Sequence, residues 1–365
     1  MMNWWQSAFQ ALQGEAEGPP SALAWRGAAT LLSCLYGAGS RSRRRLYDKG
    51  WLSRQRLPAP VLSVGNLVAG GTGKTPFTAF LARRYQAAGC RVVILSRGYG
   101  GRATGIQIIG DGRRLRLRPP QAGDEACLLA QKLPGVPVVT GADRYQAGLR
   151  AWEAFQPDLF VLDDGFQHFQ LHRDLDVVLL DAGRPFGNGC LLPRGPLREP
   201  VSTLQRPLLL VLSRYDDARH RQTWVELQRA FPAAVVLRAA FRLGQPVVYP
   251  GGRRQSLASL ARKKLAALAG LARPERFAAD LHQVGLHIEQ FYFFPDHHAF
   301  TAQEVAAVTA AAVRQGVEGL LTTEKDWVRL AGQWHAALPL YVVPLEVDLL
   351  DDWPDQLLPL PCQGK

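Results

Sequence analysis

The sequence predicts an α/β protein: a phosphate-loop α/β/α domain, a second, smaller α/β/α domain, and an N-terminal membrane-associated helix. Three observations carry this. The 365 residues exceed what one compact core usually holds. Continuous apolar runs alternate with helical patterns, as parallel sheets covered on both faces require. The stretch "SVGNLVAGGTGKTPFTAFLARR", from Ser63 to Arg84, reads as a strand, a glycine-rich turn and a helix opening at Gly-Lys-Thr.

Composition narrows the class. The chain is 47% hydrophobic and 20% charged, which suits a globular protein. A net charge of +12 points to an anionic partner: nucleic acid, an acidic membrane surface or a phosphorylated substrate. The five cysteines form no CxxC pair, which argues against a zinc site and a disulfide framework and favours a reducing compartment. No signal-peptide order of segments is present.

The N-terminal segment, residues 1–56, has its own character. Trp5, Phe9 and Leu12 form a short apolar stripe, and Trp25, Ala28, Ala29, Leu32, Leu35 and Tyr36 form a longer one. Residues 41–56 then hold seven basic residues against one acidic, half of the net charge. An apolar stripe with aromatics followed by arginines suits a helix lying in a membrane interface, with the guanidinium groups against lipid phosphates. Arg26 interrupts a stretch only about as long as the shortest spanning helix, so a peripheral helix is favoured over a crossing one. No nucleic-acid motif supports the other reading of the arginines.

Residues 57–205 are expected to form the nucleotide-binding domain. Its strands are "VLSVG", "RVVILSRG", "VPVVTG", "LFVLDD" and "LDVVLLDA", with helices near 75–88, 124–133 and 143–155. Residues 105–120 alternate around Asp111-Gly112 and read as a β-hairpin. Residues 206–365 continue as α/β, with helices near 274–285 and 302–314.

In the loop, Val68, Ala69, Gly70, Gly71, Thr72, Gly73, Lys74 and Thr75 are the nucleotide-binding candidates. The glycines let amides turn toward an anion, and the helix N-terminus adds its dipole. Lys74 can bridge β- and γ-phosphates, and the Thr75 hydroxyl can bind Mg²⁺. Val68 stands where the usual G-x-x-x-x-G-K-[ST] pattern has its first glycine. "LFVLDDGFQH" ends an apolar strand in Asp163-Asp164, where a carboxylate beside such a loop serves a metal. Asp124 and Glu125 open a helix, and "FFPDHHAFT" carries Asp296, His297 and His298 after a strand. "TTEKDW" can cap a helix through Thr323 and Asp326.

Taken in order, "VGNLVAGGTGKTP", "SRGYGG", "GDEACLLA", "LDDGFQH", "LLPRGPLREP", "FPDHHAF" and "TTEKDWVRL" resemble the tetraacyldisaccharide 4'-kinase family, the lipid A 4'-kinases. The resemblance runs from about residue 20 to 347. That family's phosphate loop also lacks the first glycine, so Val68 is no objection.

The resemblance implies a P-loop kinase-like fold of two α/β/α domains joined by a β-ribbon, with nucleotide between them. It implies transfer of the ATP γ-phosphate to the 4'-hydroxyl of a lipid A disaccharide 1-phosphate, with Mg²⁺, at the cytoplasmic face of the Gram-negative inner membrane.

By the same resemblance Lys74 and Thr75 are the phosphate-loop lysine and metal hydroxyl. Asp163 and Asp164 match the acidic pair near the metal. Gln167 and Glu199 are polar groups of that site, with Thr75, Asp164, Gln167 and Glu199 as metal ligands. Asp124 matches the base and His297 its partner, meeting across the interdomain cleft. The expected partners are the lipid substrate and the anionic membrane surface, with no nucleic acid and a monomeric chain. A P-loop switch or partitioning-type ATPase at the membrane is the alternative. The first would need an NKxD-type guanine reader, the second an early second lysine in the loop.

Overall fold

The computed structural model describes residues 21–206, 208–335 and 337–357. Helix α1 is Ser21–Asp48. Strand β1, Val61–Asn66, leads through the glycine loop into α2, Lys74–Ala87. Then come β2 Val92–Ser96, β3 Gln107–Asp111, α3 Asp124–Lys132, β4 Pro137–Thr140, α4 Arg144–Phe155 and β5 Leu159–Asp163. Next are β6 Leu175–Asp181, β7 Leu209–Ser213, α5 Asp217–Ala230 and β8 Val235–Leu243. The last third holds β9 Val247–Tyr249, β10 Arg253–Arg254, α6 Leu257–Leu260, β11 Leu265–Ala269, α7 Pro274–Gln283 and β12 Ile288–Phe293. It ends with α8 Ala302–Arg314, β13 Gly319–Thr323, α9 Glu324–Leu330, β14 Leu340–Val343 and β15 Leu345–Leu349. Pro344 has no N–H to continue a ladder and separates the last two strands.

The chain divides into two compact units. One comprises residues 1–74, 158–240 and 349–365; the other comprises 75–157 and 241–348. In the first, β8, β7, β6, β1 and β5 lie side by side and parallel. β1, β5 and β7 are buried along their whole length, which explains their unbroken apolar runs. One core cluster joins Leu67, Val68, Phe166, Val178, Leu180, Leu210 and Leu212.

In the second unit β2 pairs parallel with β4, and β3 pairs antiparallel with β4. The predicted hairpin is therefore only half realised. The chain does reverse at Asp111-Gly112, where Gly112 takes φ 82. Beyond it the return arm makes a single bridge, Gly110 to Leu115, and the ladder of β3 goes to β4 instead. The other sheet of this unit runs β10-β9-β14-β13-β11-β12. Alternate residues of β11 feed opposite faces, Ala266 and Leu268 one core and Leu265, Ala267 and Ala269 the other.

One sequence expectation needs adjustment. Ala29 is buried, so it lies on the packed face of α1 and not in the apolar stripe with Leu32 and Leu35. The outer face shows Leu31, Leu32 and Leu35 at 66%, 54% and 64% exposure. Among the described residues no helix is long and apolar enough to cross a membrane. The stripe of Trp5, Phe9 and Leu12 lies outside the described residues. Cys34, Cys127 and Cys190 are free thiols.

Candidate active site

The phosphate loop is held from within by Asn66, the last residue of β1. Its buried side-chain amide donates to Val68 O at 2.5 Å and to Thr72 Oγ1 at 3.0 Å. Gly70 and Gly73 adopt φ 123 and 84, conformations open to glycine. Gly71 needs no such freedom, and a Cβ there would meet open space. Val68 packs in the core and bridges Leu197, and the Ala69 N–H donates to Pro196 O at 2.7 Å. These two candidates thus tie the loop to the segment carrying Arg198 and Glu199. The Ala69 amide is already engaged and not turned to an anion.

Lys74 opens α2, and its Nζ lies 3.6 Å from Asp164 Oδ1. Asp163 ends β5, buried. Asp164 follows in the left-handed region at φ 52, so the two carboxyls do not simply alternate across a continuing strand. Arg198 Nη1 donates to both Asp164 oxygens, at 3.2 and 3.1 Å. Burial pushes the Asp164 carboxyl up, but Lys74 and Arg198 outweigh it and hold it below the usual range. Glu199 is 2% exposed, and burial raises its carboxyl against the opposing pull of Arg44. Arg44 Nη1 donates to Glu199 Oε2 at 3.1 Å. Gln167 Nε2 donates to Asn66 O at 2.9 Å.

Gln167 Oε1 and Glu199 Oε1 are buried without a hydrogen-bond partner among the described residues. Two orphaned acceptors near the phosphate loop suit a hard cation and its waters. Among the described residues no three His, Cys, Asp or Glu side chains could hold a metal by themselves. That is compatible with Mg²⁺, which takes one or two carboxylates and fills its shell with phosphate and water.

The other group of residues gathers at the start of α3. A Cβ on Gly123 would meet Tyr99 O at 2.2 Å, so only glycine permits this close approach. Asp124 follows, with its Oδ2 3.1 Å from His297 Nδ1. His297 stands at φ 58, and its N–H donates to Asp296 Oδ1 at 3.0 Å. Lys325 Nζ lies 3.4 Å from His297 Nε2 and donates to Asp296 Oδ1 at 3.0 Å. Nδ1–H can donate to Asp124, while Nε2 faces both the Lys325 ammonium and, at 3.7 Å, Asp296 Oδ2. Tyr99 meets the imidazole edge-on at 5.9 Å.

Asp124 and His297 both belong to the compact unit of residues 75–157 and 241–348. The chain returns to this unit after residue 240. His298 is occupied elsewhere, its Nε2 3.1 Å from both Glu304 oxygens. Thr323 does cap α9, accepting from the Asp326 N–H at 3.1 Å.

Sequence reasoning missed Asn66 and Arg44 and left Arg198 without a role. A polar residue ending a fully apolar strand was a legible sign for Asn66. Nothing local distinguishes Arg44 from its neighbouring arginines.

A parallel sheet, a glycine loop after β1, and Lys74 against an acid beyond β5 define a P-loop phosphotransferase. The sequence profile of the tetraacyldisaccharide-1-P 4'-kinase family matches residues 26–359, and the chain belongs to that family. It is 42% identical over 323 residues to a tetraacyldisaccharide 4'-kinase of Geobacter sulfurreducens, covering 88% of this chain and 89% of the relative. It is 44% identical over 354 residues to that of Anaeromyxobacter dehalogenans strain 2CP-C, covering 95% and 90%. The crystal structure of LpxK from Aquifex aeolicus in complex with ATP superposes with a TM-score of 0.72 at 33% identity, covering 92% of this chain and 97% of that one.

Proposed function

We propose that this chain transfers the ATP γ-phosphate to the 4'-hydroxyl of tetraacyldisaccharide 1-phosphate through the residues described above. The observation that carries the residue assignment is the Asp124–His297 hydrogen bond of 3.1 Å. Asp124 accepts the proton of the sugar hydroxyl. The 4'-oxygen forms its bond to the γ-phosphorus as the bond to the bridging β,γ-oxygen breaks, and ADP leaves with that electron pair. His297 orients the carboxylate. A loose transition state needs position more than full deprotonation, so an oriented carboxylate suffices.

Lys74 supplies fixed positive charge to the β- and γ-phosphates, and Asp164 holds its ammonium meanwhile. Thr75, Asp164, Gln167 and Glu199, with Asp163 beside them, would hold Mg²⁺. When bound, the ion neutralises charge on the phosphate oxygens.

We further assign the protein to the cytoplasmic face of the inner membrane, held there peripherally by α1 on anionic lipid. Leu31, Leu32 and Leu35 are exposed on that helix, and Arg41, Arg43 and Arg45 follow on the same element. Burying the three leucines would contribute on the order of 4 kcal/mol.

The test incubates purified protein with γ-labelled ATP and tetraacyldisaccharide 1-phosphate in detergent micelles. A labelled lipid is expected from wild type and not from Asp124→Ala. Label released as free phosphate, with none on lipid, would instead favour an ATPase.

A further inference from the structure

We propose that Arg329 is the positioning residue for the Asp124–His297 pair, holding both the carboxylate and the loop that carries the imidazole; this rests on reading Asp124 as the base. Arg329 lies on α9, and its side chain is 5% exposed. Its Nη1 donates to His298 O at 3.1 Å and its Nη2 to Gly270 O at 3.1 Å. Nη2 also contacts Asp326, which is fully buried. Its Nε is buried with no hydrogen-bond partner among the described residues, 3.5 Å from Asp124 Oδ2.

One planar guanidinium therefore spans both halves of the pair. Through His298 O it steadies the residue next to His297, whose left-handed backbone needs outside support. Through Nε it faces the same oxygen, Oδ2, that meets His297 Nδ1. With the His297 hydrogen bond on Oδ2 and the Arg329 charge facing that same atom, Oδ1 is the oxygen assigned to take the sugar proton. The guanidinium is itself anchored. Asp326 Oδ1 accepts from Gly270 N at 3.1 Å, and Asp326 Oδ2 accepts from Thr323 Oγ1 at 2.7 Å. The other charged groups here are paired among themselves: Lys325 faces Asp296 at 3.0 Å and Glu125 at 3.7 Å.

The competing explanation is that Arg329 only neutralises the buried Asp326. Lysine separates the two. Arg329→Lys keeps a cation for Asp326 but cannot reach His298 O, Gly270 O and Asp124 with one rigid fork.

The experiment is steady-state kinetics of the full chain in micelles, with ATP and tetraacyldisaccharide 1-phosphate, for Arg329→Lys, His297→Ala, their double variant and Asp124→Ala. The inference expects Arg329→Lys to lower kcat about 10- to 100-fold with the KM for ATP within about twofold. It expects the double variant to lie within about twofold of the poorer single. Wild-type kcat in Arg329→Lys, or losses that multiply in the double variant, would overturn it. If Arg329→Lys does not fold by circular dichroism, Arg329→Gln with Asp326→Asn removes the buried pair together and is judged by the same criteria. An active Asp124→Ala would overturn the base reading itself. An inactive Asp124→Ala beside a fully active Arg329→Lys would remove this inference alone.

Discussion

Arg44 Nη1 lies 3.1 Å from Glu199 Oε2, and the Glu199 side chain is only 3% exposed. One arginine of the N-terminal basic cluster is therefore turned inward, onto a candidate metal ligand, and not toward lipid. The same helix bonds that segment elsewhere too. Tyr36 Oη donates to Arg198 O at 2.9 Å, and Ser33 Oγ donates to Leu191 O at 2.8 Å.

Arg44→Ala should accordingly behave unlike Arg41→Ala or Arg45→Ala. It leaves Glu199 buried without its cation, a change that costs about 3 kcal/mol in buried pairs. Weaker Mg·ATP binding by calorimetry and a lower melting temperature are expected for Arg44→Ala alone. Equal behaviour of all three variants would refute the assignment.

Lys74→Ala should lower kcat on the order of 100- to 1,000-fold, because the phosphates lose a fixed counter-charge. ATP affinity should fall as well, and Asp164 should keep Arg198 as its partner. Unimpaired turnover would disprove the phosphate-loop role of Lys74.

Asp124→Ala and His297→Ala should each reduce kcat strongly with ATP affinity nearly unchanged. Their contact lies within one unit, so it does not wait on movement between units. The double variant should be scarcely worse than the poorer single. Additive losses in folded proteins would show that the two act independently.

The pH dependence of stability should carry the Asp164 signature. Its folded carboxyl titrates below the ordinary value, against the pull of burial, because of Lys74 and Arg198. Such a group contributes stability that is present above its unfolded value, about pH 4, and lost as pH falls through the folded one. Urea unfolding of wild type against Asp164→Asn should give a difference that is constant near neutrality and shrinks below about pH 4. A difference that grows on acidification would contradict the sign.

Replacing Leu31, Leu32 and Leu35 with serine should reduce recovery on anionic vesicles, with little change in melting temperature because all three side chains are exposed. Raised salt should weaken what binding remains, through screening of Arg41, Arg43 and Arg45. Undiminished recovery would place the membrane contact elsewhere.

The sequence alone determined the buried core strands, the glycine loop and the starts of α2, α3, α7 and α8, because these depend on local signals, whereas α5, β9 and β10 were not read from it. Continuous apolar runs give buried parallel strands, as in β1, β5 and β7. Gly-Lys-Thr opens α2, and Thr323 caps α9 within a few residues of itself. Its ordered motifs also identified the family. Tertiary structure decided which distant side chains meet. Asp124 and His297 are 173 residues apart, and only the chain's return after residue 240 puts them in one unit. Arg44 and Arg45 are adjacent in the same basic run, yet helix geometry turns the first onto Glu199 and leaves the second exposed. Arg329 reads as one more cation in the last turn of a short helix. Its place between Asp326, His298 O and Asp124 follows from the packing of α9 against α3, which no local pattern specifies.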